Sequence, residues 1–100
     1  MKVTIDGAVI AEAAGDDVVK IEGNWYFPPS SITPGTLSES PKPYICAWKG
    51  VAQYYDVAAP RGTRKDAAWS YPDPLESAAD AVGRNFAGYV AFDRAFATIS

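Results

Sequence analysis

The sequence predicts a mostly-β fold of antiparallel sheets built from hairpins, resembling a β-tent, with one short helix near residues 74–83. Short segments in which apolar and polar residues alternate recur along the chain, as is typical of half-buried strands. Turn-forming residue pairs separate these segments, and only one stretch carries the signals that start and stop a helix. The length of 100 residues fits a single domain spanning residues 1–100.

The first third of the chain is predicted to form two hairpins. Asp6-Gly7 suits the positive φ angles of a tight hairpin turn, and Gly23-Asn24 is expected to form the second turn. An irregular turn around Gly15 links the two hairpins. The strands predicted for this region are Lys2–Ile5, Ala8–Glu12, Val18–Glu22 and Trp25–Phe27.

A loop and then a long hairpin are predicted for the middle of the chain. Pro28–Pro43 is rich in proline and serine, and we expect one ordered or semi-ordered loop there, with a short helical turn, because proline cannot donate to a central ladder. Tyr44–Trp48 follows, with a turn at Lys49-Gly50. Val51–Ala58 is predicted to be the longest strand. Its alternation places Val51, Gln53, Tyr55 and Val57 on one face and Ala52, Tyr54 and Asp56 on the other.

The last third begins with a turn at Pro60–Gly62 and a strand over Asp66–Tyr71. The helix signals follow. Asp73 is expected to cap the helix, with Pro74 at its first position, Glu76 completing a capping box and Gly83 ending it. Two further strand-like segments close the chain, Gly88–Phe92 and Phe96–Ile99.

Composition excludes several functional classes. The net charge is −3 and the pI about 4.7, whereas a general nucleic-acid binder is basic, so no nucleic-acid partner is expected. Basic residues concentrate within residues 41–65, where they can attract a small anion or simply be solvated. The chain has no histidine, which removes Ser-His-Asp and Cys-His catalysis. With one cysteine and no long apolar run, we expect no disulfide, no membrane partner and a cytoplasmic location.

Four stretches, in this order and spacing, resemble the domain of unknown function 427 family. They are Tyr26–Pro28, Cys46–Gly50 followed by Tyr54-Tyr55, Ala67–Pro72 and Gly88–Phe92. The resemblance extends from about Val3 to Phe96 and implies an antiparallel β-tent-like fold. The chain departs from the family pattern at Ala47, where members usually have proline, and in a longer segment between Pro74 and Gly88.

The resemblance also suggests two chemistries that these residues do not support. Many β-tent domains hold zinc through paired cysteines, but a structural zinc needs four Cys or His ligands and this chain offers only Cys46. We therefore expect no metal and no cofactor. The family has also been labelled nucleotidyltransferase-like, yet we find neither a paired-acid motif on a strand nor a phosphate-cradling glycine loop.

Three residues are candidates for catalysis. Lys49 is close enough in sequence to Cys46 to lower the pKa of its thiol, unless Cys46 is simply buried and Lys49 lies on the surface. Asp66 can serve as a base, cap a turn, or pair with Lys49 or Lys65. Whether the protein is an enzyme stays open.

Aromatic residues cluster around the same segment, and they either form the core or line a solvent-reachable cleft. The predicted ligand-binding residues are Tyr26, Trp48, Lys49, Tyr55, Trp69 and Tyr71. Our first hypothesis is a small-molecule binding domain in which Lys49 holds an anionic group and the rings stack on a planar ligand. The alternatives are a protein interaction module that uses the Pro28–Pro43 loop and a thiol-dependent enzyme that uses Cys46. The oligomeric state is not predictable from these residues.

Overall fold

A computed structural model describes all residues, Met1–Ser100, and contains nine strands and one α-helix. The strands are β1 (Lys2–Ile5), β2 (Ala8–Glu12), β3 (Val19–Ile21), β4 (Asn24–Tyr26), β5 (Leu37–Cys46), β6 (Gly50–Ala59), β7 (Gly62–Ser70), β8 (Val90–Phe92) and β9 (Thr98–Ile99), and the helix is α1 (Glu76–Val82). They form antiparallel sheets with the orders β2-β1-β9, β3-β4 and β5-β6-β7-β8. The predicted mostly-β fold with one short helix is confirmed.

Both early hairpins close through a non-glycine residue and a glycine in the left-handed region. Asp6 has a φ of 53° and Gly7 a φ of 82°, as predicted from the sequence pair. The second turn lies one residue earlier than predicted, at Glu22 (φ 53°) and Gly23 (φ 82°), and Asn24 already belongs to β4. Gly23 takes the second turn position, as Gly7 does, and this forces a glutamate into the first.

The predicted Pro28–Pro43 loop is only partly correct, because β5 begins at Leu37. A short 3₁₀ turn over Pro29–Ser31 precedes it. Pro41 and Pro43 lie within β5, which is the outermost strand of the four-stranded sheet, and the register with β6 shifts between Glu39 and Pro43. A proline is tolerated at an edge or a bulge, where its missing N–H interrupts no central ladder.

The helix is shorter at its start than the capping signals predicted. Leu75 is the N-cap residue and no side chain caps α1, so the predicted cap by Asp73 is wrong. The Leu75 N–H instead donates to the Lys49 carbonyl at 3.0 Å, which ties the segment before the helix to the β5–β6 turn. Gly83, with a φ of 89°, ends the helix as predicted. No helix has the length and apolar character needed to cross a bilayer.

Alternation along β6 and β7 divides the buried interior into two clusters on opposite faces of the four-stranded sheet. The first cluster contains Val3, Ile5, Ile10, Ala11, Val18, Phe27, Val57, Ala67, Ala68, Val90, Phe92 and Ala97. The second, which we call the aromatic cluster, contains Val19, Ile21, Tyr26, Ala52, Tyr71, Ala78, Phe86 and Ala91. Cys46, Tyr54 and Trp69 pack against the aromatic cluster from the partly exposed side.

Candidate functional site

Lys49 lies in the turn that joins β5 to β6, and its side chain points inward. The turn is fixed from behind by the Leu75 hydrogen bond and by Gly50, whose φ of 113° strongly favours glycine. As a result Lys49 is only 5% exposed. Lysine is almost never buried to this extent unless its ammonium is paired.

The ammonium of Lys49 is enclosed by one carboxylate and two aromatic rings. It forms an ion pair with Glu22 and lies 5.0 Å from the ring centroid of Trp48 and 5.1 Å from that of Tyr71. Burial alone lowers the pKa of Lys49, but the hydrogen bond to Glu22 and nearby negative charge outweigh it, so the pKa is raised. Lys49 is therefore held in its charged form.

Glu22 reaches Lys49 from an exposed hairpin turn. Its side chain is 55% exposed, and the hydrogen bond from Lys49 is the main reason that the pKa of Glu22 is lowered. The nearby Trp48 side chain acts more weakly in the same direction. The left-handed backbone at this position is uncommon for a glutamate, which costs roughly 1–2 kcal/mol relative to glycine. The partner of the buried lysine is therefore water-accessible and conformationally unusual.

Tyr26 and Tyr71 form the buried base of the site. Tyr26 is 1% exposed and accepts a hydrogen bond at 3.0 Å from the indole Nε1 of Trp69, with the two rings edge to face at 6.5 Å. The ring centroids of Tyr71 and Phe86 lie 6.4 and 6.3 Å from that of Tyr26. Burial raises the pKa of both tyrosines. Burial therefore favours the neutral form of both hydroxyls.

A row of partly exposed rings, which we call the aromatic face, continues from this base across the sheet. It comprises Tyr44, Tyr54 and Trp69, with ring centroids 6.4 Å apart for the tyrosine pair and 6.0 Å apart for Tyr54 and Trp69. The Lys42 ammonium lies 4.6 Å from the Tyr54 ring centroid at the outer end. Burial also raises the pKa of Tyr54. The aromatic face offers flat apolar surface beside a positive charge.

The structure brings together five of the six residues predicted to bind a ligand, namely Tyr26, Trp48, Lys49, Trp69 and Tyr71. Tyr55 is placed elsewhere: it packs against the first cluster, and its hydroxyl is 2.9 Å from the Ser70 Oγ. Tyr54 takes the place that was expected for Tyr55, because Tyr54 is the residue that pairs with Trp69 across strands β6 and β7. The alternation of side chains along the strand placed Tyr54 and Tyr55 on opposite faces, but it could not show which of these two tyrosines lies on the same face of the sheet as Trp69.

The sequence reasoning missed three residues at this site, Glu22, Tyr54 and Phe86. Glu22 was assigned to a strand, although a glutamate directly before Gly23 in a hairpin turn was a usable signal. Phe86 follows α1, in the segment that is longer than the family pattern, and nothing local marked it as core.

The three catalytic candidates do not form one group. Cys46 is half-buried and packs against the aromatic cluster, and it is a minor cause of the raised pKa of Lys49. Asp66 instead accepts a hydrogen bond from the Ser40 hydroxyl, and its N–H donates to Asp56 at 2.9 Å. No group of three or more His, Cys, Asp or Glu side chains is arranged to hold a metal ion.

The cavity that the structure contains is beside the predicted cleft, not within it. It measures about 250 Å³ and is lined by Val51, Ala52, Gln53, Pro72 and Asp73. None of the six predicted ligand-binding residues lines this cavity. Around Lys49 the carboxylate of Glu22 and the rings fill the space, so the expected open hollow is absent from this conformation.

Comparison with curated proteins and with protein families gives a match to one family only. No curated protein matches the chain significantly. The family described as "Domain of unknown function (DUF427)" matches residues 1–99. Since the match covers nearly every residue of the fold described above, the chain belongs to the DUF427 family.

Proposed function

We propose that this domain binds a small planar molecule that carries an anionic group. The observation that carries the proposal is the placement of Lys49, a buried ammonium between two rings whose one carboxylate partner comes from an exposed turn. In the proposed complex the anionic group contacts Lys49 and the planar part stacks on the aromatic face. Stacking on rings and a cation at one end fix both the position and the orientation of such a ligand.

Structural stabilisation alone is a weak reason for this arrangement. An ion pair between a buried lysine and a carboxylate contributes little net stability, because removing the charges from water offsets their attraction. A hydrophobic residue of similar volume in place of Lys49 packs between Trp48 and Tyr71 without that penalty. The charge is better explained by recognition of an anion.

The protonation of Lys49 favours binding over acid–base catalysis. A lysine acts as a base or an amine nucleophile only when its pKa is depressed, whereas here the pKa is raised. The ammonium is therefore a fixed positive charge. The thiol of Cys46 nearby keeps the enzyme alternative open as a hypothesis, and alkylation rate against pH tests it.

The test is an NMR titration of the three Trp indole N–H signals with planar carboxylates, planar phosphates and their neutral analogues. We expect saturable shifts of the Trp48 and Trp69 signals with at least one anionic compound. Lys49→Met, which keeps an unbranched stem between the rings, should weaken this binding by about 10–100-fold, because a charge-assisted hydrogen bond contributes about 1.5–3 kcal/mol.

Lys65→Met is the matched control, since Lys65 is exposed and lies on another part of the sheet. It should bind as the unmodified protein does. The proposal fails if no compound gives a saturable shift, or if Lys49→Met binds as tightly as Lys65→Met.

A further inference from the structure

The environment of Lys49 resembles an occupied binding site. One carboxylate lies against the ammonium, and the ring centroids of Trp48 and Tyr71 lie 5.0 and 5.1 Å from it. Neither Lys49 nor the rings around it line the cavity beside this site, although partly exposed rings continue across the sheet from Tyr26. The group that fills the position is the side chain of Glu22.

Glu22 is placed there at a conformational cost and can leave readily. Its φ of 53° lies in a region that glycine, asparagine and aspartate occupy more easily than glutamate. More than half of its side-chain surface is in contact with water, at 55% exposure. A rotation of the side chain into solvent therefore breaks one ion pair and moves no core residue.

We propose that Glu22 occupies the position that the carboxylate of a planar aromatic monocarboxylate takes on binding, so that the domain carries its own competitor for the site. This inference rests on the function proposed above and names the ligand class and the control of access. Binding then requires exchange of one carboxylate for another on Lys49, and the free domain is kept closed by the Glu22 side chain.

A monocarboxylate is the anion that this site matches. The position holds one ammonium paired with one carboxylate, so a carboxylate with a single negative charge reproduces what Glu22 supplies. A phosphate monoester dianion leaves one charge uncompensated beside the buried ring of Tyr71, which is unfavourable. The planar part is set by the aromatic face, where Tyr54 and Trp69 are 6.0 Å apart.

The experiment compares the intact domain with Glu22→Gln, which keeps the size of the side chain and removes its charge. Glu12→Gln on β2 is the matched control, because Glu12 is exposed and β2 belongs to a different sheet from β3–β4 and from β5–β6. The probes are 2-naphthoate, its neutral analogue 2-naphthamide, 2-naphthyl phosphate and acetate, each at constant ionic strength. Isothermal titration calorimetry gives Kd, and the indole NMR signals give the place of binding.

We expect 2-naphthoate to bind Glu22→Gln roughly tenfold more tightly than the unmodified domain, or by a larger factor. A site that is closed about nine-tenths of the time shows only a tenth of its intrinsic affinity. Naphthamide and acetate should bind at least tenfold more weakly than naphthoate, because naphthamide lacks the negative charge and acetate lacks the planar ring system. Glu12→Gln should match the unmodified domain.

The outcomes separate this inference from the proposed function. If naphthoate or the phosphate binds the unmodified domain and Glu22→Gln equally well, the inference that Glu22 competes with the ligand is refuted, and the proposed binding function stands. If the phosphate binds Glu22→Gln more tightly than naphthoate does, the monocarboxylate is refuted. If no probe binds either protein, both proposals fail. Should Glu22→Gln not fold, Glu22→Asp, which retracts the carboxylate by one methylene, must still tighten naphthoate binding, or the inference is rejected.

Discussion

Replacing Tyr26 by phenylalanine tests how the buried base of the site is held. The Tyr26 hydroxyl accepts the Trp69 indole N–H at 3.0 Å, and the tyrosine is 1% exposed. Tyr26→Phe keeps the ring and its contacts but removes the acceptor. Because Trp69 is half-buried, water reaches its N–H only in part. We therefore expect a loss of about 1–2 kcal/mol in the free energy of unfolding, within the range for a donor left without its partner.

Urea denaturation monitored by tryptophan fluorescence measures this loss. With an m-value of about 1 kcal/mol/M for a small domain, the midpoint should fall by about 1–2 M with the slope unchanged. In a thermal melt, each 1 kcal/mol corresponds to roughly 4–8 °C in Tm for a domain of this length.

Tyr44→Phe is the control, because Tyr44 is 48% exposed and its change should stay within about 0.5 kcal/mol. In a Trp69→Phe background, Tyr26→Phe should be much less destabilising, since the donor is already gone. Equal effects of Tyr26→Phe and Tyr44→Phe, or an undiminished effect in the Trp69→Phe background, would refute this account of the hydrogen bond.

Two further predictions concern pH and the β5–β6 turn. The pKa values of Tyr26, Tyr54 and Tyr71 are raised by burial. Burial lowers the pKa of Lys49, but the Glu22 hydrogen bond and nearby negative charge together outweigh it, so the pKa is raised. The stabilising contribution of these four groups is therefore complete below about pH 10 and declines as pH rises through their folded-state pKa values. The free energy of unfolding should therefore fall above pH 10. The tyrosinate absorbance at 295 nm from these three residues should appear only as the fold is lost. Full titration of all six tyrosines in a protein that is still folded contradicts this prediction. Gly50→Ala should lower the free energy of unfolding by about 1–3 kcal/mol through backbone strain at its φ of 113°, because a Cβ there meets Asp73 and Leu75 only at ordinary contact distances. Gly15→Ala is the control, since Gly15 has open space around it and no positive φ. Equal melting temperatures of the two variants would count against the strain.

Local patterns predicted those parts of the fold that depend on local chemistry. Asp6-Gly7 identified the first hairpin because the geometry of such a turn depends on two adjacent residues that can adopt positive φ angles. The start of β5 was missed because Pro41 and Pro43 are typical of loops, and only the position of β5 at the sheet edge makes them acceptable in a strand. The Asp73 cap failed because a hydrogen bond from Leu75 to Lys49, formed across the fold, fixes the segment before α1.

The candidate site was predictable in its aromatic content and not in its electrostatic partner. Lys49 and most of the aromatic residues of the site fall between Tyr44 and Tyr71, and this density of aromatic residues made their grouping visible. Glu22 is 27 residues away from Lys49, and no periodicity connects a hairpin turn to a distant lysine. The exchange of Tyr55 for Tyr54 depended on the β6–β7 register, which the irregularity between Tyr55 and Val57 obscures from the sequence.

The prolines of β5 also affect how copies of this protein meet in a crowded solution. An outermost strand with every amide available is a template onto which another chain can be added, and stacking of that kind leads to aggregation. Pro41 and Pro43 each lack the backbone N–H that another chain would use to pair with this edge strand, and the neighbouring Lys42 adds a positive charge. The strand end that carries the highly exposed Ile45 is therefore a poor start for intermolecular pairing.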